Sequence, residues 1–410
     1  MKRIACLSVA LAAACSAPAP QQSVPPTASP TPRSAAALDV LLRTAVEQKR
    51  VPHVAAMIAT KDGVVYEHAE GVAPDAIYAI ASMTKAVTTI AAMQLVEAGK
   101  IRLDEPAATY VPELARVKVL DGGQMRPPKT APTVRQLMSH TAGFGYEFMS
   151  RDLFDLVGTK KVASMMAGGD AFLKAPLLFD PGARWEYGIN TDWLGRIVER
   201  VSGQSLEAYF KEHVFDPLGM ADSFFVVPKD KQPRLAKVFH RTKEGALAEQ
   251  PPLVPPDGGK AGPVFYSGGG GLHSTARDYL TLTRTVMAGG QLGPARILTA
   301  ESIALMGQNQ IGDLSIRPFP SVMPDFATDG ASLPGDLDKF GLGFALNSKP
   351  TAAGRGMNTM AWAGIFNTFF WIDREHQLSA VLMTQMLPGM DPGPARLLEA
   401  FDRAVYAWSR

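Results

Sequence analysis

What most restricts the fold of this chain is the placement of its strand-like segments, which gather at its two ends. Val54 to Ala59 and Val64 to His68 are short apolar runs around Lys61-Asp62-Gly63, the pattern of a hairpin. Asn358 to Ala363, Asn367 to Ile372 and Leu378 to Thr384 read as three more strands joined by short turns, as in an antiparallel meander. Together they predict one sheet built from both ends of the chain. Helical patterns flank these segments. Leu41, Leu42 and Val46 mark an amphipathic helix over Leu38 to Gln48, and Leu397, Leu398, Phe401, Val405 and Trp408 mark another over Pro394 to Trp408. Between about 103 and 275 the chain is broken by Pro and Gly into short helical patterns. The clearest runs from Trp193 to Val201 and closes at Gly203, and a second runs from Leu206 to Phe215. A further helix is expected over Thr275 to Ala288. The expected fold class is therefore α/β in the α+β sense: an antiparallel sheet flanked by helices, plus an α-helical insertion.

The chain has 410 residues, of which 46% are hydrophobic and 20% charged, ample for a large core. A net charge of +2, with no basic run longer than Lys160-Lys161, provides no field for nucleic acid, which is excluded as a partner class. Residues 1–15 read as an export signal: Lys2 and Arg3, then an apolar Ile4 to Ala14 too short to span a bilayer. Residues 16–37 have the Pro/Ser/Ala composition of a linker. Both cysteines, Cys6 and Cys15, lie in the leader, so the body has neither a disulfide nor a thiolate metal site. Leu11-Ala12-Ala13-Ala14-Cys15 resembles a bacterial lipoprotein cleavage box with Ala12 in the place of the usual leucine. Two fates stay open, a lipid anchor to the membrane through Cys15 or simple release into the periplasm.

Chemistry points to Ser82-Met83-Thr84-Lys85. Val87, Ile90, Ala91, Leu95 and Val96 make Met83 to Ala98 one buried helix ended by Gly99, so Ser82 stands at its N-terminus with Lys85 a turn on, on the same face. A neutral amine there can take the hydroxyl proton. The free N–H groups of the helix end disfavour a cation and favour an oxyanion. Ser-x-x-Lys alone occurs roughly once by chance in a chain of this length. A lysine in an apolar, alanine-rich helix start, however, has no solvated face to account for it. His-Glu-x-x-His, Gly-x-Ser-x-Gly and Gly-x-x-x-x-Gly-Lys are all absent. Of the seven histidines, His140 is the most suggestive, with a hydrogen bond to loop backbone favoured over a role as triad base.

Taken with Leu137-Met138-Ser139-His140-Thr141-Ala142-Gly143, the Gly-rich stretch Gly268 to Asp278, Phe340-Gly341-Leu342-Gly343-Phe344 and Trp362-Ala363-Gly364, this motif resembles the serine β-lactamase/penicillin-binding-protein superfamily. Within it the likeness is closest to the family VIII carboxylesterases, over about Leu38 to Trp408. The resemblance implies a β-lactamase/DD-peptidase-like fold over 38–410, with the site between sheet and insertion. It implies Tyr187, in Tyr187-Gly188-Ile189, as the second proton carrier, although Ile189 stands where the family has asparagine. From the residues alone, without the resemblance, Tyr187 reads first as a half-buried loop tyrosine before a helix. The resemblance further makes Trp362, Ala363 and Gly364 the substrate-binding strand and the N–H groups of Ser82 and Ile365 the oxyanion hole. Trp362 could also be core filling. The expected activity is hydrolysis of a small-molecule carboxylic ester through an acyl-enzyme, with no cofactor and no metal. The alternatives are a β-lactamase or DD-peptidase, an acyltransferase, and, from another class, a non-catalytic penicillin-binding sensor. Trp362 replaces the lysine of Lys-Thr-Gly, so a β-lactamase would need another cation, for which Arg355 is the candidate.

Overall fold

The computed structural model describes residues 35–259 and 264–409. The leader, most of the linker and Lys260 lie outside them. The first described helix, α1 (Ala35–Glu47), starts inside the stretch assigned to the linker. Ala35, Ala36 and Ala37 are strong helix formers and simply extend the amphipathic pattern backwards.

The hairpin β1 (Val54–Thr60) and β2 (Gly63–Glu70) leads to α2 (Thr84–Glu97). The insertion's one long helix is α3 (Asn190–Ser202), followed after the insertion by α4 (Ala276–Met287). Then come β3 (Lys339–Phe340), β4 (Ala345–Leu346), β5 (Met360–Gly364), β6 (Thr368–Asp373), β7 (Leu378–Met383) and α5 (Pro392–Ser409). The sheet has seven strands in the order β3-β4-β5-β6-β7-β1-β2, antiparallel throughout. The first and last parts of the chain thus meet at β1–β7, with Ala55 opposite Met383 and Thr60 opposite Leu378. The pair β3 and β4 was not foreseen, because two-residue strands have no readable alternation.

Strand alternation explains the layers. Ala380 and Leu382 of β7 pack with Leu38, Leu42, Leu397 and Phe401 of α1 and α5. Val381 and Met383, pointing the other way, join the cluster that contains α2, α4 and the insertion. Both faces of the central strands are covered, so β6 and β7 are buried at every position. The insertion is less helical than the sequence pattern suggests. It carries the hairpin Val119–Asp121 with Gln124–Arg126, and the strands Val238–Arg241 and Leu247–Gln250, among short helices and turns. The helix expected over Leu206 to Phe215 starts as α-helix, widens into a π-turn at Lys211–Phe215 and ends at Gly219 in a left-handed conformation.

Candidate active site

Ser82 lies in a single 3₁₀ turn, Ala81–Met83, that runs into α2. Ala81 has φ +43°, a left-handed backbone unusual for a residue with a side chain. Such strain persists only where the surroundings over-determine it. Here the Ile80 N–H donates to the Leu272 carbonyl at 3.0 Å, the Leu272 N–H to Thr84 Oγ1 at 3.1 Å, and the Tyr279 hydroxyl to the Met83 carbonyl at 2.8 Å.

Lys85 is 1% exposed, in the first turn of α2. Its amine contacts Ser82 Oγ at 3.2 Å, the Tyr146 hydroxyl at 3.0 Å and the Gly269 carbonyl at 2.6 Å. An ammonium would donate to all three, whereas a neutral amine donates to two and keeps a lone pair for the third. The Gly269 carbonyl can only accept, so the lone pair must face Ser82 or Tyr146. From the loop before α3, the Tyr187 hydroxyl donates to Ser82 Oγ at 2.5 Å. With a neutral amine whose lone pair faces Ser82, the serine's own proton can then be directed at Lys85. Lysine and tyrosine, both named from the sequence, thus meet on Ser82 Oγ, and the Lys85 amine also lies 4.7 Å from the centre of the Tyr187 ring.

Two further groups complete the network. Tyr146 is a buried phenol whose pKa is driven well up by burial, with the neighbouring Tyr187 and Asp192 adding to it. It therefore meets Lys85 as a neutral hydroxyl. Asp192, in the first turn of α3, accepts from Ser267 Oγ at 2.6 Å and from the Gly269 N–H at 3.0 Å. Burial raises its pKa against the opposing pull of the Lys85 charge and these two donors. Asp192 and Lys85 thus grip opposite ends of one residue, Gly269. A Cβ on Gly269 would run into the Asp192 carboxyl, so only glycine allows that approach.

The strand β5 supplies the other wall. β6 pairs with its whole length, while β4 covers only Met360 and Ala361, so Trp362 to Gly364 offer a free edge. Trp362 is 4% exposed and its ring lies 5.0 Å from that of Tyr187. It both fills core and lines the cavity. The alternation turns the Ala363 methyl the other way, into the cluster under α1 and α5, so Ala363 meets the cavity through its backbone. A Cβ on Gly364 would strike the Ile80 carbonyl and Thr368 Oγ1. Among the described residues, no turn or loop hydrogen bond is donated by the N–H of Ser82 or of Ile365.

These residues open on a cavity of about 690 Å³. Phe148, Met149, Phe172, Phe265, Phe319 and Phe326 form much of its wall. Among its described lining residues none is basic, and Asp192 is the one that is acidic. Among the described residues no cluster of three or more His, Cys, Asp or Glu could hold a metal.

A family model described as Beta-lactamase matches residues 38–404. The chain belongs to the beta-lactamase family. It is thus an enzyme of a serine-hydrolase family, and its antiparallel sheet with flanking helices is that family's fold. It is similar to protein Rv1367c of Mycobacterium tuberculosis, 32% identical over 77% of this chain and 79% of the other. It is also similar to esterase EstB of Burkholderia gladioli, 29% identical over 91% and 95%. Unliganded simvastatin synthase (LovD) from Aspergillus terreus superposes with a TM-score of 0.77 at 26% identity, over 91% of this chain and 98% of that one.

Within this family member two sequence expectations need correction. Among the described residues, the His140 ring bonds a side chain and no loop backbone. Asn190 Nδ2 lies 2.9 Å from its Nδ1, and the ring is packed between Tyr187 and Phe340 at 5.1 and 5.2 Å. Burial, helped by the Lys85 charge, holds its pKa well below the usual imidazole value, so it is a neutral packing element. Arg355 is no spare cation. It is buried, bonded through Nε to Asp402 at 2.9 Å and stacked on Trp371 at 4.6 Å, and it is not among the residues lining the cavity. The sequence reading gave neither Tyr146 nor Asp192 a place in the site. The only available signal was a carboxylate on the apolar side of the Trp193 helix.

Proposed function

We propose that this enzyme hydrolyses uncharged carboxylic esters through an acyl-enzyme on Ser82. The observation that carries the reading is the double contact on Ser82 Oγ, from Lys85 at 3.2 Å and Tyr187 at 2.5 Å, at the edge of an apolar cavity. Ser82 attacks the ester carbonyl while its proton passes to Lys85. The N–H groups of Ser82 and Ile365 receive the oxyanion, and Tyr187 protonates the departing alkoxide. Water then attacks the acyl carbonyl by the same route in reverse. Trp362, Gly364 and the backbone of Ala363 form the substrate-binding edge.

The lack of a basic side chain among the described lining residues argues against a β-lactam or peptide carboxylate as the preferred substrate. A charge-assisted hydrogen bond contributes about 1.5–3 kcal/mol, so its absence costs such a substrate roughly ten- to 150-fold. The test is kcat/KM for p-nitrophenyl butyrate beside a cephalosporin, with intact mass of the trapped protein and Ser82→Ala as control. Equal or faster turnover of the cephalosporin would overturn the reading, as would full activity in Ser82→Ala.

A second reading, transfer of the acyl group to another alcohol, is favoured by the same cavity, which is large enough for an acyl group and an organic acceptor together. The likeness to simvastatin synthase over 91% of the chain supports it. We also propose export, on the strength of the charged and apolar leader over residues 2–14, with Cys15 as a lipid attachment point. Mass analysis of the mature N-terminus from the native host distinguishes lipidation from release.

A further inference from the structure

The catalytic phenol sits in a ring of aromatic side chains. Around Tyr187, ring centroids lie at 5.0 Å for Trp362, 5.1 Å for Tyr146, 5.1 Å for His140 and 5.8 Å for Phe319. Trp362, Tyr146 and His140 are buried, whereas Phe319 is half-exposed. Phe319 also packs on Trp362 at 6.2 Å and on Trp185 at 6.1 Å. It is therefore the ring that stands between the Tyr187–Trp362 edge and solvent.

Phe319 packs against the main core but belongs to no helix or strand of the scaffold. It lies in an irregular strap from Asp313 to Asp338 between the helix Ala300–Met306 and β3. Pro318 and Pro320 on either side fix the local backbone and remove its N–H donors. The strap is fastened across its own loop by Phe319 N–H to the Ala331 carbonyl at 2.7 Å and Gly330 N–H to the Phe319 carbonyl at 2.9 Å. It reaches the cavity wall through Val322 N–H to the Phe148 carbonyl at 2.9 Å, and through Phe326, whose ring lies 4.9 Å from that of Phe148. The strap thus brings two aromatic rings, Phe319 and Phe326, to a cavity walled chiefly by the insertion, the Ser82 turn and β5 with the residues that follow it.

We propose that Phe319 determines which nucleophile takes the acyl group from Ser82, favouring an apolar alcohol over water. The inference rests on the acyl-enzyme reading above and adds the acceptor's chemistry to it. The acyl carbonyl on Ser82 lies beside Tyr187, and the Phe319 ring lines the cavity 5.8 Å from that phenol, so an attacker on the solvent side of Tyr187 meets the Phe319 ring. That ring offers water no hydrogen-bond partner, but it gives an apolar alcohol a surface to bury. In the transfer step the alcohol oxygen bonds to the acyl carbon, and the carbon–Ser82 Oγ bond breaks. The alcohol proton passes through Tyr187 and Lys85 back to Ser82, leaving a new ester and free enzyme. Hydrolysis differs only in that water supplies oxygen and proton and a carboxylic acid leaves.

The experiment supplies p-nitrophenyl butyrate with 1-hexanol or methanol and measures butyrate ester and butyrate acid in the same reaction. The product ratio does not depend on the fraction of active protein, so partial misfolding of a variant cancels. Phe319→Ala is expected to lower the hexyl ester to acid ratio about tenfold, with the methyl ester ratio changing less than about twofold, and Phe319→Leu is expected to restore most of the difference. An unchanged hexanol ratio in Phe319→Ala, or an equal fall for both alcohols, would overturn the role of Phe319. Absence of a butyryl adduct on Ser82 in the unaltered enzyme would instead sink the acyl-enzyme reading, and this inference with it.

Discussion

Replacing Tyr146 by Phe removes one oxygen and leaves the ring, which packs at 5.1 Å against both Phe148 and Tyr187. The change therefore removes the hydroxyl's contact with Lys85 at 3.0 Å, together with its side-chain interaction with Tyr187, and leaves the packing. In the proposed mechanism Ser82 gives its proton to Lys85, which becomes a buried ammonium with three N–H groups to satisfy. Three acceptors surround it: Ser82 Oγ, the Gly269 carbonyl and the Tyr146 hydroxyl. Without the last, one N–H of a newly formed cation has no partner in a site that water reaches poorly. A hydrogen bond to a charged group contributes about 1.5–3 kcal/mol, so kcat should fall roughly ten- to 150-fold. The bond strengthens as the charge develops, so kcat and kcat/KM should fall together while KM stays nearly constant. Steady-state hydrolysis of p-nitrophenyl butyrate by Tyr146→Phe measures this directly, with thermal unfolding as a check that packing is intact. A kcat within about twofold of the parent would show that the hydroxyl does nothing for the proton transfer, and the three-acceptor account of Lys85 would be wrong.

Ser82→Ala, Lys85→Ala and Tyr187→Phe should each cost on the order of 10³-fold in kcat, with double variants little worse than the worst single. Multiplying losses would mean that the three do not act as a unit. Gly364→Ala, which forces a methyl onto the Ile80 carbonyl and Thr368 Oγ1, should lower stability by about 1–3 kcal/mol in urea unfolding and reduce activity as Ser82's turn shifts. An active, equally stable variant would refute the close approach. Burial lowers the His273 pKa to about 4, so the folded state resists a proton that the unfolded chain accepts near 6.5. Its contribution is present above pH 6.5 and lost as pH falls towards 4, on the order of ~3 kcal/mol, and His140 acts in the same direction. Urea midpoints that do not fall between pH 7 and 4 would contradict this.

Local pattern carried much of this protein. Apolar runs and turn residues specify β1, β5, β6 and β7 within a residue or two, because each buries side chains on both faces and must be apolar along its length, while the partly exposed edge strand β2 is marked by the turn Lys61-Asp62-Gly63 before it. The spacing of Ser82 and Lys85 follows from helix geometry alone, since residues three apart share a face whatever the rest of the chain does. Tyr187, 105 residues from Ser82, was reached only through its motif, and no local rule says that its hydroxyl would touch the serine. What the tertiary structure alone decided is the environment of the amine. Tyr146 is 61 residues from Lys85 and Gly269 is 184, and neither has a side-chain pattern that marks it as a partner. Asp192 has its meaning only because α3 packs along α2 and aims a carboxyl at the Gly269 N–H. Phe319 lies in an irregular strap with no periodicity to read. Its place over Tyr187 comes from a few long-range backbone hydrogen bonds, and a sequence does not display the partners of such bonds until the chain has closed on itself.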